Sequence, residues 1–125
     1  MIRKLGCTAT ALLLAAAIAA QPVRAADSPF ENQLLRLAEI LGALHYLRNL
    51  CGEESVEWRD RMNTLLEVEN PDESRRARFV ASFNRGYRSY QQSYATCTPS
   101  AVEAINRYMR EGEALTRDTA TRFGN

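Results

Sequence analysis

Between Phe30 and Cys51 apolar side chains return at every third or fourth position. Phe30, Leu34, Leu37, Leu41 and Leu44 form one row, and Ile40, Leu47 and Cys51 widen it. Steps of three and four are the period of an α-helix, and a stripe this wide buries much of the helix circumference. The spacing predicts a helix from about Pro29 to Leu50, opened by Ser28-Pro29 and stopped by Cys51-Gly52.

Three more helices follow from the same period. The second begins near Ser55 and turns Trp58, Met62, Leu65 and Leu66 inward, ending at Asn70-Pro71. Pro71 in a first turn, with Asp72 and Glu73 beside the positive helix end, opens the third. Its expected inner face is Phe79, Val80, Phe83, Tyr87, Tyr90 and Tyr94, running to Cys97. Thr98-Pro99 opens the fourth, with Val102, Ile105, Tyr108 or Met109, Leu115 and Phe123 inward. No segment alternates with period two for long enough to make a sheet. The expected fold is therefore all-α, a small antiparallel bundle of about four helices.

The first 25 residues read differently. Arg3 and Lys4 precede an almost unbroken Ala, Leu and Ile run from Ala9 to Ala20, then Pro22 and Val23-Arg24-Ala25. That is the pattern of a Sec signal peptide cleaved after Ala25, leaving residues 26–125 as a single helical domain. The apolar run is too short to span a bilayer, and no later segment is long and uncharged, so no integral membrane span is expected in the mature chain. Cys7 precedes the apolar run, whereas a lipidated cysteine follows it. Localisation is expected to be periplasmic or secreted.

Removing the leader changes the charge and the cysteine count. The whole chain has 16 basic and 15 acidic residues. Taking away Arg3, Lys4 and Arg24 leaves thirteen bases, all Arg, against fifteen acids, a net charge of −2. Together with export, that disfavours nucleic acid as a partner. Of three cysteines, Cys51 and Cys97 remain, and an even pair in an exported chain reads as a disulfide. A link of that span restricts the unfolded chain by roughly 4 kcal/mol in the chain-entropy description. In an up-down-up-down bundle the first and third helices run the same way, so both cysteines fall at one pole.

Little in the chain points to catalysis. His45 is the only histidine and has no recognisable second catalytic member in the sequence. No C-x-x-C, C-x-x-C-H, G-x-S-x-G, H-E-x-x-H or phosphate-binding glycine loop occurs, so no catalytic residue, cofactor or metal site is expected. The charges are more suggestive. Glu53, Glu54, Glu57, Asp60, Glu67 and Glu69 crowd the second helix, while Arg75, Arg76, Arg78, Arg85 and Arg88 crowd the third. Either the two helices neutralise each other across a seam, or Arg85 and Arg88 with Tyr87 and Tyr90 form an exposed polar-aromatic patch for an anionic partner. Gly86 inside a helix implies close packing, with Gly42 a candidate facing partner.

The runs Leu37–Gly52, Trp58-Arg59, Phe83–Tyr90, Cys97-Thr98-Pro99 and Ala104–Met109 resemble, in that order, a family of small exported alphaproteobacterial proteins with no assigned function. The similarity covers residues 33–125. It implies an exported helical protein with two cysteines that pair, and supplies no activity, ligand or partner. The leading expectation is a non-catalytic envelope protein that contacts an unknown protein or envelope polymer through the third helix. The alternative is a periplasmic chaperone or a bundle that binds a small apolar ligand, and an enzyme stands third. Periplasmic material should begin at Ala26 and weigh two hydrogens less than the reduced chain by intact mass spectrometry. Two free thiols would overturn the pairing.

Overall fold

The computed structural model describes residues 30–123, and side chains over 30–119. The expected leader, the Ser28-Pro29 helix opening and the Phe123 side chain lie outside these residues. Four helices follow one another, α1 (Glu31–Leu50), α2 (Glu57–Glu69), α3 (Glu73–Gln91) and α4 (Pro99–Phe123), with no strand among the described residues.

Short polar and glycine signals set the helix ends. At the end of α1, Gly52 takes φ +99°, a conformation that side chains disfavour. Its N–H donates to the Asn49 carbonyl, and the Glu53 N–H reaches back to Arg48, so the closing turn is a Schellman motif. Asn49 braces the following loop: its amide donates to the Ser55 carbonyl at 3.0 Å and accepts from the Ser55 N–H at 2.9 Å. Asn70, left-handed at φ 41°, ends α2. The Asp72 side chain caps α3 by accepting from the Arg75 N–H at 2.7 Å. Pro71 thus precedes the cap instead of sitting in the first turn. Thr98 Oγ1 caps α4, accepting from Ala101 at 3.1 Å.

α1 is the centre of the bundle. Ala38, Ile40, Ala43, Leu44 and Leu47 are all at most 2% exposed, which covers most of its circumference. α2, α3 and α4 each pack on α1, α2 barely meets α3, and the backbones of α2 and α4 do not meet. α3 runs parallel to α1. Glu31 meets Arg75, Gly42 meets Phe83, and the Tyr46 hydroxyl donates to the Tyr94 carbonyl, a nearly constant offset in sequence. α4 runs the other way, since Arg36 pairs with Glu111 while Cys51 joins Cys97 at the opposite end. The Cys51–Cys97 disulfide closes one pole, with Cα atoms 4.9 Å apart across 46 residues of sequence. α3 stops at Gln91, so Cys97 sits in the turn before α4 and not at the helix end.

The α1–α3 contact is backbone against backbone. A Cβ added to Gly42 would lie 1.9 Å from the Phe83 carbonyl oxygen, and one added to Gly86 would lie 2.0 Å from that of Glu39. Two glycines in facing positions let the helices touch where any other residue would hold them apart. Phe79 and Ser82 complete the buried face of α3 beside Gly86. Val80 was expected inward but is 38% exposed, and Val102 of α4 is 45% exposed, while Ala101 and Ala104 are buried in its place. Close helix approach gives the inner positions to small residues, so side-chain size misidentified the face.

Of the charge seam between α2 and α3, one of the two alternatives the sequence leaves open, the described residues show the Arg75–Glu69 pair. Arg75 bridges the two helices, donating to Glu69 at 2.8 Å and to Glu31 of α1 at 2.8 Å, with its guanidinium over the Phe79 ring. Arg78 approaches Glu31 at 3.8 Å and Arg85 approaches Glu39 at 3.6 Å. Arg75, Arg78 and Arg85 of α3 thus each meet a carboxylate of α1, because α1 is the helix that α3 packs on.

Gly42→Ala and Gly86→Ala should each lower stability by about 2 kcal/mol or more in urea unfolding, since overpacking outweighs the gain in helix propensity. Gly112→Ala on α4 is the contrast: its added Cβ meets only Ile40 Cγ2 at 3.5 Å and Leu37 Cδ1 at 4.0 Å. That variant should be unchanged or more stable by up to ~1 kcal/mol.

Candidate functional site

Two helices that lie on a third with their backbones apart leave a groove between them. α2 and α4 do so on α1, and the space measures about 460 Å³. Leu37, Ile40, Leu41 and Leu44 of α1 line its floor. Trp58 and Arg61 form the α2 wall, and Tyr108, Met109, Gly112 and Thr116 the α4 wall, with Glu113 and Arg117 at the edge. Glycine at 112 keeps this part of α4 flat against Leu37 and Ile40. The lining is mainly apolar, and its volume falls in the range of about 300–1,000 Å³ usual for small-ligand sites.

The polar groups of the groove are few. Arg61 holds Glu57 at 2.8 Å in a solvent-exposed pair, and its guanidinium lies 5.1 Å from the Trp58 ring centre. Arg117 and Glu113 make a second exposed pair at 3.4 Å. Trp58 is buried, and its indole N–H has no hydrogen-bond acceptor. Behind the α4 wall Arg36 holds Glu111 through two hydrogen bonds of 2.8 and 3.0 Å, which lowers the Glu111 pKa and fastens α4 to α1.

The four residues expected to form one patch on α3 divide between two faces. Arg85 and Arg88 are exposed and line a shallow depression with Asn84, Ser89 and Gln92. Tyr87 turns the other way, edge-on to Tyr46 at 5.3 Å. Tyr90 donates to the Tyr108 hydroxyl at 2.7 Å and stacks on Tyr94. Burial and that hydrogen bond push the Tyr90 pKa up to about 12. At 100° per residue, positions two apart in sequence lie far apart around a helix, so Arg85 and Tyr87 cannot share a face.

His45 lies half-buried against Phe83 and Tyr87, with ring centres 6.0 and 5.7 Å away. Burial lowers its pKa below 6.5, and the positive charge of Arg59 lowers it further. His45 and Arg59 face an open depression of mixed lining that also takes in Tyr46, Leu50, Val56 and Tyr87. Among the described residues no group of three or more His, Cys, Asp or Glu side chains could hold a metal ion. No described helix is long and apolar enough to cross a membrane.

The groove was not expected from the sequence. Its one legible signal is Gly112, a helix-interior glycine in line with Ile105 and Tyr108 on the inner face of α4.

The lone imidazole makes a clean pH test. Its proton resonance should titrate below 6.5, and Arg59→Gln should move the midpoint up. Because the unfolded imidazole takes its proton first, stability is complete above 6.5 and declines as pH falls toward the folded-state pKa. In His45→Gln that decline should be shallower in pH-dependent melting.

A family model described as "Protein of unknown function (DUF2385)" matches residues 29–123. No curated protein and no solved structure matches the chain.

Proposed function

The chain belongs to that family of unknown function, and we propose that it is an exported protein that acts by binding, with the α1–α2–α4 groove taking a small apolar ligand. The leader-like first 25 residues support export, as does a cysteine pair bonded in the folded chain, since such bonds persist in oxidising compartments. The single observation that carries the binding site is the separation of α2 from α4 over an apolar floor.

A second reading keeps the leading expectation from sequence, contact with an envelope protein or polymer through α3. It is favoured by Arg88, which is exposed and has no ion-pair partner among the described residues, and by Arg85, held only at 3.6 Å by Glu39. Tyr87 and Tyr90 take no part in such a surface. Its partner would meet two guanidinium groups with Asn84, Ser89 and Gln92 beside them.

A hydrophobic dye should brighten on the native protein at neutral pH. Gly112→Leu, which fills the groove beside Ile40 and Leu37, should remove most of that signal while the melting transition persists. An Arg85→Ala, Arg88→Ala double variant should leave it unchanged. Absence of dye binding by the native chain, or binding indifferent to Gly112→Leu, would sink the groove reading. Loss of a crosslinked envelope partner in the arginine double variant would favour the second.

A further inference from the structure

We propose that the depression between the end of α1, the start of α2 and α3 is a second binding site, which takes a small aromatic carboxylate with its acid group on Arg59. It lies on the α3 side of α2, whereas the groove lies on the α4 side. Every residue that lines it is at least partly exposed, so the surface a ligand would meet is open. Its volume of about 700 Å³ falls in the range of about 300–1,000 Å³ usual for small-ligand sites.

Arg59 supplies the charge. It is exposed and has no ion-pair partner among the described residues, whereas Arg48 and Arg61 hold Glu53 and Glu57. A carboxylate accepts two parallel hydrogen bonds from one guanidinium, and here no existing pair has to be broken first. Glu54 also lines the depression, so a second negative charge on the ligand would be repelled and a monoanion is preferred.

The rest of the lining suits a flat apolar body. Tyr46 and Tyr87 pack edge-on at 5.3 Å and the His45 ring lies 5.7 Å from Tyr87, so three rings of α1 and α3 form one wall. Leu50 and Val56 add aliphatic surface, and Val56 is 58% exposed. A ligand ring gains stacked or edge contacts with such a wall that an alkyl chain does not. The frame is held in place: Asn49 ties the loop at Ser55 through two hydrogen bonds, and the Cys51–Cys97 bond closes the pole beside Leu50. A preformed wall lowers the ordering cost of binding.

His45 couples the site to pH. Arg59 and Glu54 are the charged groups that line the depression with it, and the Tyr46 and Tyr87 hydroxyls are neutral well above pH 7. A carboxylate on Arg59 offsets the positive charge that keeps the imidazole unprotonated. Reciprocally, a protonated His45 holds the carboxylate more tightly, so affinity rises as pH falls from about 7.5 to about 5.5, where the ligand acid stays ionised.

The probes are 3-phenylpropionate, its amide and hexanoate, read by the ring resonances of His45 and Tyr87. The carboxylate should bind at least about tenfold more tightly than the amide, the value of one hydrogen bond to a charged group. Arg59→Gln should reduce it to the level of the amide without changing the melting transition, since Arg59 is exposed. His45→Gln should flatten the rise in affinity at low pH, read at Tyr87. Equal binding of carboxylate and amide, undiminished binding by Arg59→Gln, or an affinity that pH leaves unmoved in the native chain would each overturn the acid-group assignment. Hexanoate bound as tightly as 3-phenylpropionate would overturn the aromatic one. Gly112→Leu should leave every one of these readouts unchanged, so this site and the groove reading stand or fall separately.

Discussion

The contact of two helix backbones at Gly42 and Gly86 sets the geometry of the rest. Because each glycine sits against a carbonyl of the facing helix, α1 and α3 approach more closely than helices that carry side chains at the crossing. That approach buries Phe79 and Ser82 on one side of α3 and leaves its other face to solvent. It also holds the parallel offset that brings Glu31 to Arg75 and Tyr46 to Tyr87. The disulfide fastens the same arrangement at the pole where α1 ends and α4 begins.

With α3 seated so tightly on one side, α1 offers its remaining surface to α2 and α4. Each covers a strip of it, and their backbones do not meet. Between the two, Leu37, Ile40, Leu41 and Leu44 come to line a groove, with Ile40, Leu41 and Leu44 themselves almost fully buried. The charges follow the same plan. Glu31, Arg36 and Glu39 of α1 each meet an opposite charge on α3 or α4, so the central helix is an electrostatic hub as well as an apolar one. Arg75 joins three helices, and its partner Glu31 is buried, so removing either leaves a poorly solvated charge behind.

Much of the fold was legible because helix period, caps and glycines act locally. Gly52, Asn70, Asp72 and Thr98 each act at a helix end, close to where the residue types place them. Phe30, Leu34, Leu41, Leu44, Trp58, Met62, Leu66, Phe79 and Ile105 are buried as their spacing implies. The misread burials share one cause. Val80 and Val102 are larger than Ser82, Gly86, Ala101 and Ala104, yet the smaller residues are inside, since close helix packing selects for small volume at the contact. Likewise Arg85, Tyr87, Arg88 and Tyr90 are near neighbours in sequence but point to different sides of α3.

The sequence by itself determined the number of helices, most of their ends, the cysteines available to pair and the glycines that must face a close neighbour. Each of these depends on backbone conformation or spacing within one segment, which neighbouring residues specify. Only the tertiary structure decided which helix is central, which carboxylates the α3 arginines meet, and that α2 and α4 stand apart over an apolar floor. Those outcomes depend on distances between segments remote in the chain, and a gap between two helices is a property of neither one alone.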